Sequence, residues 1–255
     1  MTNVSPPAVW RLIPPLHAPG SIQMAIDWWL LEQHRQHSHP PTLRFYTWLP
    51  ISISLGYHQR QWSAHWQHLS WQGQPITLVR RPTGGRSVLH QGDLTYMVVT
   101  SGVEGNRTQM YQTLCSFLIQ GWQNLGVSLS YGQQGRGNTQ NQNCFGIPTS
   151  ADLVMEDGTK LIGSARLHRG HAILQHGSIR LRSDPDLFFH VFQEKTSLPH
   201  FPLELNGKEP LNDVMEALIL AACHRFHITL DTQPLREEEW KAIEQLAPSF
   251  VVPYG

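Results

Sequence analysis

Two apolar runs, PITLV at residues 75–79 and LTYMVVT at 94–100, bracket a segment dense in arginine and glycine, so that residues 80–96 read RRPTGGRSVLHQGDLTY. The β-branched and aromatic content of the runs predicts strands. Any fold this chain adopts must therefore hold the polar segment between two strand ends. Gly84 and Gly85 have no Cβ, so they accept positive φ and let a ligand come close to the backbone. Arg80, Arg81 and Arg86 carry planar donor forks suited to phosphate or carboxylate. Taken alone, the segment fits a glycine-rich hairpin as well as a ligand-binding wall, and the remaining chain has to decide.

Around it the periodicities alternate. Spacings of three and four at Ile22, Ala25, Ile26, Trp29 and Leu30 predict a helix with Ser21 as N-cap, ending before Pro40-Pro41. LRFYTW and ISISLGY read as strands joined by a turn at Leu49-Pro50, and residues 62–71 as helical or irregular. Residues 106–125 place Met110, Leu114, Phe117, Leu118 and Trp122 on one helical face, with Cys115 as a buried apolar residue. A short strand at 127–129 leads into GQQGRGNTQNQN at 132–143, too polar to pack and expected as a surface loop ahead of Cys144. Strands at 151–155 and 160–167 turn at Asp157-Gly158, and a third follows at 171–181 after Arg169-Gly170. Helices are expected from Asp184-Pro185-Asp186 to Phe192, over 212–226 and over 236–247. Strands and helices mixed in this way predict an α+β fold: a single domain over 1–255, with a large mixed, mostly antiparallel sheet flanked by helices.

Charge narrows the function. With 19 Lys+Arg against 19 Asp+Glu in 255 residues, no global field favours nucleic acid or an anionic membrane. Three scattered cysteines, Cys115, Cys144 and Cys223, argue against a disulfide framework and suit a reducing compartment. No apolar run approaches the roughly 20 residues needed to span a bilayer, and the opening MTNVSPPAVWRLIPPL has no secretion-signal pattern, so a cytoplasmic protein is expected. His34, His37 and His39 lie at a helix end without an acid or cysteine beside them and read as solvated surface. Cys223, His224 and His227 read as a helix end. No metal site is expected from either group.

RFYTW, SLGYHQ, RRPTGGRSVLH, KLIGSA at 160–165 and QHGSI at 175–179 occur in this order over residues 24–181, and as a set they resemble the biotin/lipoate protein ligase and octanoyltransferase superfamily. The resemblance is greatest to the cysteine-dependent octanoyl-acyl carrier protein:protein octanoyltransferases that are built like the ligases. Lipoate ligases usually show a third glycine where this chain has Arg86, and NCF at 143–145 looks like the transferases' nucleophile segment. The repeated Gly-Arg pairs of biotin ligases are absent, Gly135-Arg136-Gly137 being only a fragment. Ser87 departs from the alanine common in the family.

The resemblance implies the same α+β fold and a set of roles. Cys144 is the implied nucleophile, carrying the acyl group as a thioester between donor and acceptor. Lys160 is implied beside the acyl carbonyl. As an ammonium it would favour the Cys144 thiolate and the developing oxyanion, and as a neutral amine it would take the acceptor's proton. Gly84, Gly85, Gly163 and Ser164 are implied to line the acyl chain, with Thr83, Arg86 and Gly177 in the same substrate-binding set. His90 and His176 would orient polar groups, and Arg81 would grip a pantetheine phosphate. The implied donor is octanoyl-acyl carrier protein and the implied acceptor a lysine of an apo lipoyl domain or glycine-cleavage H protein, with no cofactor. Two alternatives stay open at this point: an ATP-dependent lipoate-protein ligase in which Arg80, Arg81 and Lys160 hold an acyl-adenylate, and a non-catalytic lipoyl-domain binder.

Overall fold

The computed structural model describes residues 6–132, 152–202 and 210–253. The first part runs β1 (Ala8–Ala18), α1 (Gly20–Arg35), β2 (Thr42–Trp48), β3 (Ser52–Leu55), the short hairpin β4 (Ser70–Trp71) and β5 (Gln74–Pro75), then β6 (Thr77–Arg80), β7 (Val88–His90) and β8 (Asp93–Ser101). It continues with α2 (Arg107–Asn124), β9 (Ser130–Tyr131), β10 (Asp152–Val154), β11 (Lys160–Arg169) and β12 (Ala172–Arg180). α3 (Pro185–Phe192), α4 (Pro210–Phe226), β13 (Ile228–Thr232) and α5 (Glu237–Leu246) complete it.

Eight strands form one sheet in the order β13-β1-β2-β8-β12-β11-β10-β9. β1 is parallel to both its neighbours and every other pairing is antiparallel, which is the expected mixed, mostly antiparallel sheet. A second sheet, β6-β3-β7, lies over one end of it. Alternation along each strand sorts side chains to two faces. Leu43, Phe45, Tyr96, Val98 and Ile173 pack with Leu114, Phe117 and Leu118 of α2 and Leu218 of α4. On the opposite face Tyr46, Met97, Val99 and Leu174 pack with Met24, Ile26 and Leu30 of α1 and Ile243 of α5. With helices on both faces, all nine residues of β12 are buried.

Most expected elements are present, with differences that have physical causes. The first helix starts at Gly20 and Pro19 occupies its N-cap without a side-chain bond, so Ser21 is not the cap. Gly20 lies against Trp48, where a Cβ would come 2.7 Å from the indole ring. β1, the β4–β5 hairpin, β7 and β13 are additions to the expected strands, and the short strand expected at 127–129 lies instead at Ser130–Tyr131. β1 passes Pro14-Pro15 at an irregularity between Ile13 and Leu16, so the prolines remove no ladder bond that the neighbours need. Of the histidines near the end of α1, His37 is exposed as expected, His39 is half-buried and His34 is not solvated. His34 is buried, bonding Ser101 Oγ and the His39 carbonyl, and His37 stacks on His171 at 4.4 Å between ring centroids. Asp184 caps α3 by accepting from the Asp186 and Leu187 amides, as its acidic start suggested.

Candidate active site

On the α1 face of the large sheet, the side chains turn from apolar to polar at the end covered by the small sheet. Register places Arg44, Tyr46 and Trp48 of β2, Asp93 and Thr95 of β8, His176 and Ser178 of β12, and Gly163 and Ala165 of β11 on this one face. Met24 of α1 closes one side, and Ser54, Arg81, Gly84, Gly85 and Val88 form the roof. The space between is a small cavity open at its mouth, in which about 50 Å³ is accessible to the centre of a water-sized sphere. Its walls combine aromatic and aliphatic surface with a few polar groups, the usual make-up of a small-molecule site.

Two carboxylate–histidine–hydroxyl arms run from the sheet into the roof. In the first, Asp27 Oδ2 is 2.7 Å from His176 Nδ1, and His176 Nε2 is 2.6 Å from Thr83 Oγ1. A carboxylate only accepts, so Nδ1 carries the proton, and in the neutral ring Nε2 accepts from the Thr83 hydroxyl. Asp27 is fully buried and also takes bonds from Arg44 Nε at 2.9 Å, Arg44 Nη2 at 2.6 Å and Tyr46 Oη at 2.9 Å. Burial pushes the Asp27 carboxyl up, but the Arg44 guanidinium and His176 outweigh it and hold its pKa below the ordinary value. In the second arm, Asp93 Oδ2 is 2.8 Å from His90 Nδ1, and His90 Nε2 is 2.9 Å from Ser54 Oγ. Here the carboxylate is backed by the Ser178 hydroxyl at 2.7 Å. Burial depresses the His90 pKa against the opposing pull of Asp93. Trp48 fixes the His90 ring by stacking on it at 3.7 Å between centroids, and its own Nε1 donates to Thr95 Oγ1 at 2.8 Å.

Arg81 ties the roof together. Its Nη1 donates to the Ser54 carbonyl at 2.8 Å, and its Nη2 to the carbonyls of Gly84 at 2.9 Å and Arg86 at 2.7 Å. The guanidinium is thus wrapped by the loop that the sequence suggested would present it to a phosphate. The two loop glycines differ in how far their surroundings require them. Gly85 has φ of 102°, and a Cβ there would lie 2.7 Å from Arg81 Nη2, whereas Gly84 faces open space. Gly56, at the end of SLG, approaches so closely that a Cβ would run into the Gly85 carbonyl. Ser87 Oγ donates to Gln59 Oε1 at 3.0 Å, which accommodates the departure from alanine.

Lys160 begins β11 and its buried Nζ pairs with Asp152 Oδ1 at 2.8 Å. The side chain lies across Gly163: a Cβ on that residue would be 3.0 Å from Lys160 Cε and 3.2 Å from Nζ. This explains the glycine of KLIGSA, since it gives the lysine a path to the pocket wall. Gly177 of QHGSI has an equivalent task on the other face, where a Cβ would meet the Tyr96 ring at 2.6 Å and Ser164 Oγ at 2.7 Å. Its absence lets Tyr96 Oη and Ser164 Oγ approach to 2.7 Å. Ser164 therefore contributes to the wall while its hydroxyl is held by Tyr96.

Of the residues read from sequence, Arg81, Gly84, Gly85, His90, Gly163, Ser164, His176 and Gly177 line this one cavity. Thr83 ties the roof to the sheet through His176. Arg86 contributes its backbone carbonyl to Arg81. Cys144 lies outside the described residues, as does most of the polar loop before it. Cys115 is buried, as expected, and burial pushes its thiol up to about 11, so it is no nucleophile at neutral pH. Sequence reasoning missed Asp27, Arg44, Tyr46, Trp48, Ser54 and Asp93. Among the described residues, no group of three or more His, Cys, Asp or Glu could hold a metal ion, and no helix is long and apolar enough to cross a membrane.

Known proteins resemble the chain in sequence and in fold. Residues 19–203 match the lipoyl protein ligase A/B catalytic domain family. The octanoyltransferase LipM of Bacillus subtilis is 35% identical, with 93% of this chain and 94% of that protein covered. The octanoyltransferase LipM of Anoxybacillus flavithermus is 31% identical, covering 94% of each. Among solved structures, lipoate-protein ligase A bound with ATP superposes with a TM-score of 0.73 at 24% identity, covering 93% of this chain and 94% of that one. Protein Ta0514 of T. acidophilum, solved with bound lipoic acid, gives 0.75 at 24% identity, covering 94% and 95%. At that identity the two structures speak for the fold.

Proposed function

The chain belongs to the lipoyl protein ligase A/B catalytic domain family, and from that premise we propose that it is an octanoyltransferase of protein lipoylation. The observation that carries the reading is the buried Lys160, laid across Gly163 beside a pocket walled by the glycine loop. Relatives named octanoyltransferase that match over nearly the whole chain support it.

In this reading the acyl chain occupies the pocket between Gly84, Gly85 and the β11–β12 wall, with its carbonyl near Lys160. The Cys144 thiolate attacks the carbonyl of the octanoyl thioester on acyl carrier protein. The new C–S bond forms first and leaves a tetrahedral oxyanion, which collapses by breaking the old C–S bond, and the departing pantetheine thiolate takes up a proton. The lysine amine of an apo lipoyl domain or H protein then attacks the acyl-cysteine, an amide forms, the Cys144 thiolate is restored and one proton is released. Lys160, oriented by Asp152, places positive charge where each tetrahedral oxyanion develops. The reaction needs no metal and no nucleotide.

Arg81 supports transfer over ATP-dependent ligation, because its donors are engaged by Ser54, Gly84 and Arg86 rather than turned to an adenylate. The test is octanoylation of apo H protein with octanoyl carrier protein and no ATP. Transfer is expected, and Cys144→Ala is expected to lower it by at least about 10³-fold, as for removal of a covalent nucleophile. A product that requires ATP and free acid, with lipoate-dependent pyrophosphate exchange, would replace this reading by the ligase one.

A further inference from the structure

Register lays out the floor of the pocket as one row of residues crossing from β11 to β2. Gly163 of β11 stands opposite Ser178 of β12, Ser178 opposite Thr95 of β8, and Thr95 opposite Tyr46 of β2. At the usual strand spacing the row is roughly 14 Å long. Lys160 lies across Gly163 at the β11 end, so an acyl chain whose carbonyl is there runs along the row toward β2. Its tail then meets the corner formed by Tyr46, Trp48 and Met24. Met24 reaches this corner from α1, one turn after Gly20, which itself lies against the Trp48 ring.

Two of the corner's three side chains are fixed. Tyr46 Oη donates to Asp27 Oδ2 at 2.9 Å, and the Arg44 guanidinium lies 3.9 Å from its ring centroid. The Trp48 indole is held by Thr95 at Nε1 and by the stacked His90 ring. Met24 is buried and has no strong hydrogen-bonding group to tether it. The backbone that carries it is pinned: Gln23 Nε2 donates to the carbonyls of Leu16 and Thr47, and Asp27 accepts from Arg44 and His176. What stays adjustable is the Met24 side chain, an unbranched thioether with three rotatable bonds. The other apolar wall residues lack that freedom, since Val88 is β-branched and Ala165 has no rotamer to change.

We propose that Met24 sets the acyl-chain length this site accepts: the terminal methyl group packs against its thioether, and the side-chain volume at position 24 fixes how much chain fits between that contact and Lys160. The proposal rests on the acyl-pocket reading above. One methylene more or less in an apolar pocket changes kcat/KM about ten-fold or more, so a small change at this corner is read directly as substrate preference.

The test compares kcat/KM for hexanoyl, octanoyl and decanoyl carrier protein with apo H protein as acceptor. Met24→Ala removes the thioether and should raise the decanoyl-to-octanoyl ratio about ten-fold. Met24→Phe fills the corner and should raise the hexanoyl-to-octanoyl ratio by about the same factor. Met24→Leu nearly conserves volume and should leave both ratios within about two-fold of wild type. A side chain that only packs the core would slow all three donors alike, so an equal loss, or ratios unchanged in the Ala and Phe variants, would overturn the proposal. Calorimetric titration with free hexanoate, octanoate and decanoate needs no turnover. Met24→Ala should gain affinity for decanoate relative to octanoate, and affinities in the wild-type proportion would overturn the length assignment whatever the activity. Such a gain in a protein that transfers no octanoyl group from carrier protein would count against the transferase reading and leave the role of Met24 standing.

Discussion

The two arms that hold the roof of the pocket share one chemical design and differ in what stands behind the carboxylate. Asp27 is backed by the Arg44 guanidinium and the Tyr46 hydroxyl, a full counter-charge inside the sheet–helix interface. Asp93 is backed by the Ser178 hydroxyl, with Thr95 at 3.4 Å, and relies on neutral donors. Their far ends differ as well. His176 reaches Thr83 within the glycine loop itself, whereas His90 reaches Ser54, which shares Arg81 with the loop. The Asp27 arm is thus woven into the fold, and the Asp93 arm belongs more narrowly to the site. One anchors where the loop begins, the other sets how the arginine beneath it is held.

The largest expected effect breaks the first arm at its root. Asp27→Asn leaves the buried Arg44 without its counter-charge and should cost about 3–5 kcal/mol of unfolding free energy. Asp93→Asn strands only neutral partners and should cost about 1–3 kcal/mol. Urea denaturation of both variants checks the contrast, and equal losses would erase it. Next in size are the hydroxyl ends, where Thr83→Val and Ser54→Ala each remove one hydrogen bond worth about 1 kcal/mol. If the arms position the loop, Thr83→Val should raise KM for the acyl donor more than it lowers kcat, and Thr83→Ser should restore it. A loss shared equally by both variants would mark Thr83 as packing alone.

The smallest effect is one of pH. Because the folded pKa of His90 is depressed, the unfolded chain binds more protons below the ordinary value of 6.5. The stability this arm contributes is complete above pH 6.5 and declines as pH falls toward the folded pKa. Imidazole nitrogen chemical shifts should show His90 still neutral, with its proton on Nδ1, at a pH where exposed histidines are already half-protonated. A His90 that titrates with them would remove the asymmetry claimed for the second arm.

How far the sequence reached follows the same division. The glycine loop, KLIGSA and QHGSI were legible because close backbone approach and exposed chemistry leave marks in residue type. Gly163 under Lys160 and Gly177 under Tyr96 are both such approaches. The helices followed from apolar spacing. Asp27 escaped notice because it is a lone acid in the apolar run MAIDWWL, and its partners Arg44 and His176 are distant in sequence. An acid inside an otherwise apolar helical stretch was the available signal, as was the alternation of Leu174, His176 and Ser178 along one face of β12. β1 was hidden by Pro14-Pro15, which reads as loop until the irregularity at Ile13 and Leu16 is seen. β13 follows His227, whose φ of 52° breaks the preceding helix, and only parallel pairing with β1 makes those five residues a strand.

The role proposed for the pocket is to hold an acyl chain while it changes partners, and the intermediate itself can be weighed. Wild-type protein mixed with octanoyl carrier protein, without acceptor, should gain the mass of one octanoyl group within the time of a turnover. The adduct should map to Cys144, vanish in Cys144→Ala and discharge when apo H protein is added. Transfer proceeding at the wild-type rate in Cys144→Ala, or an unmodified protein that still octanoylates the acceptor, would contradict a covalent acyl-enzyme.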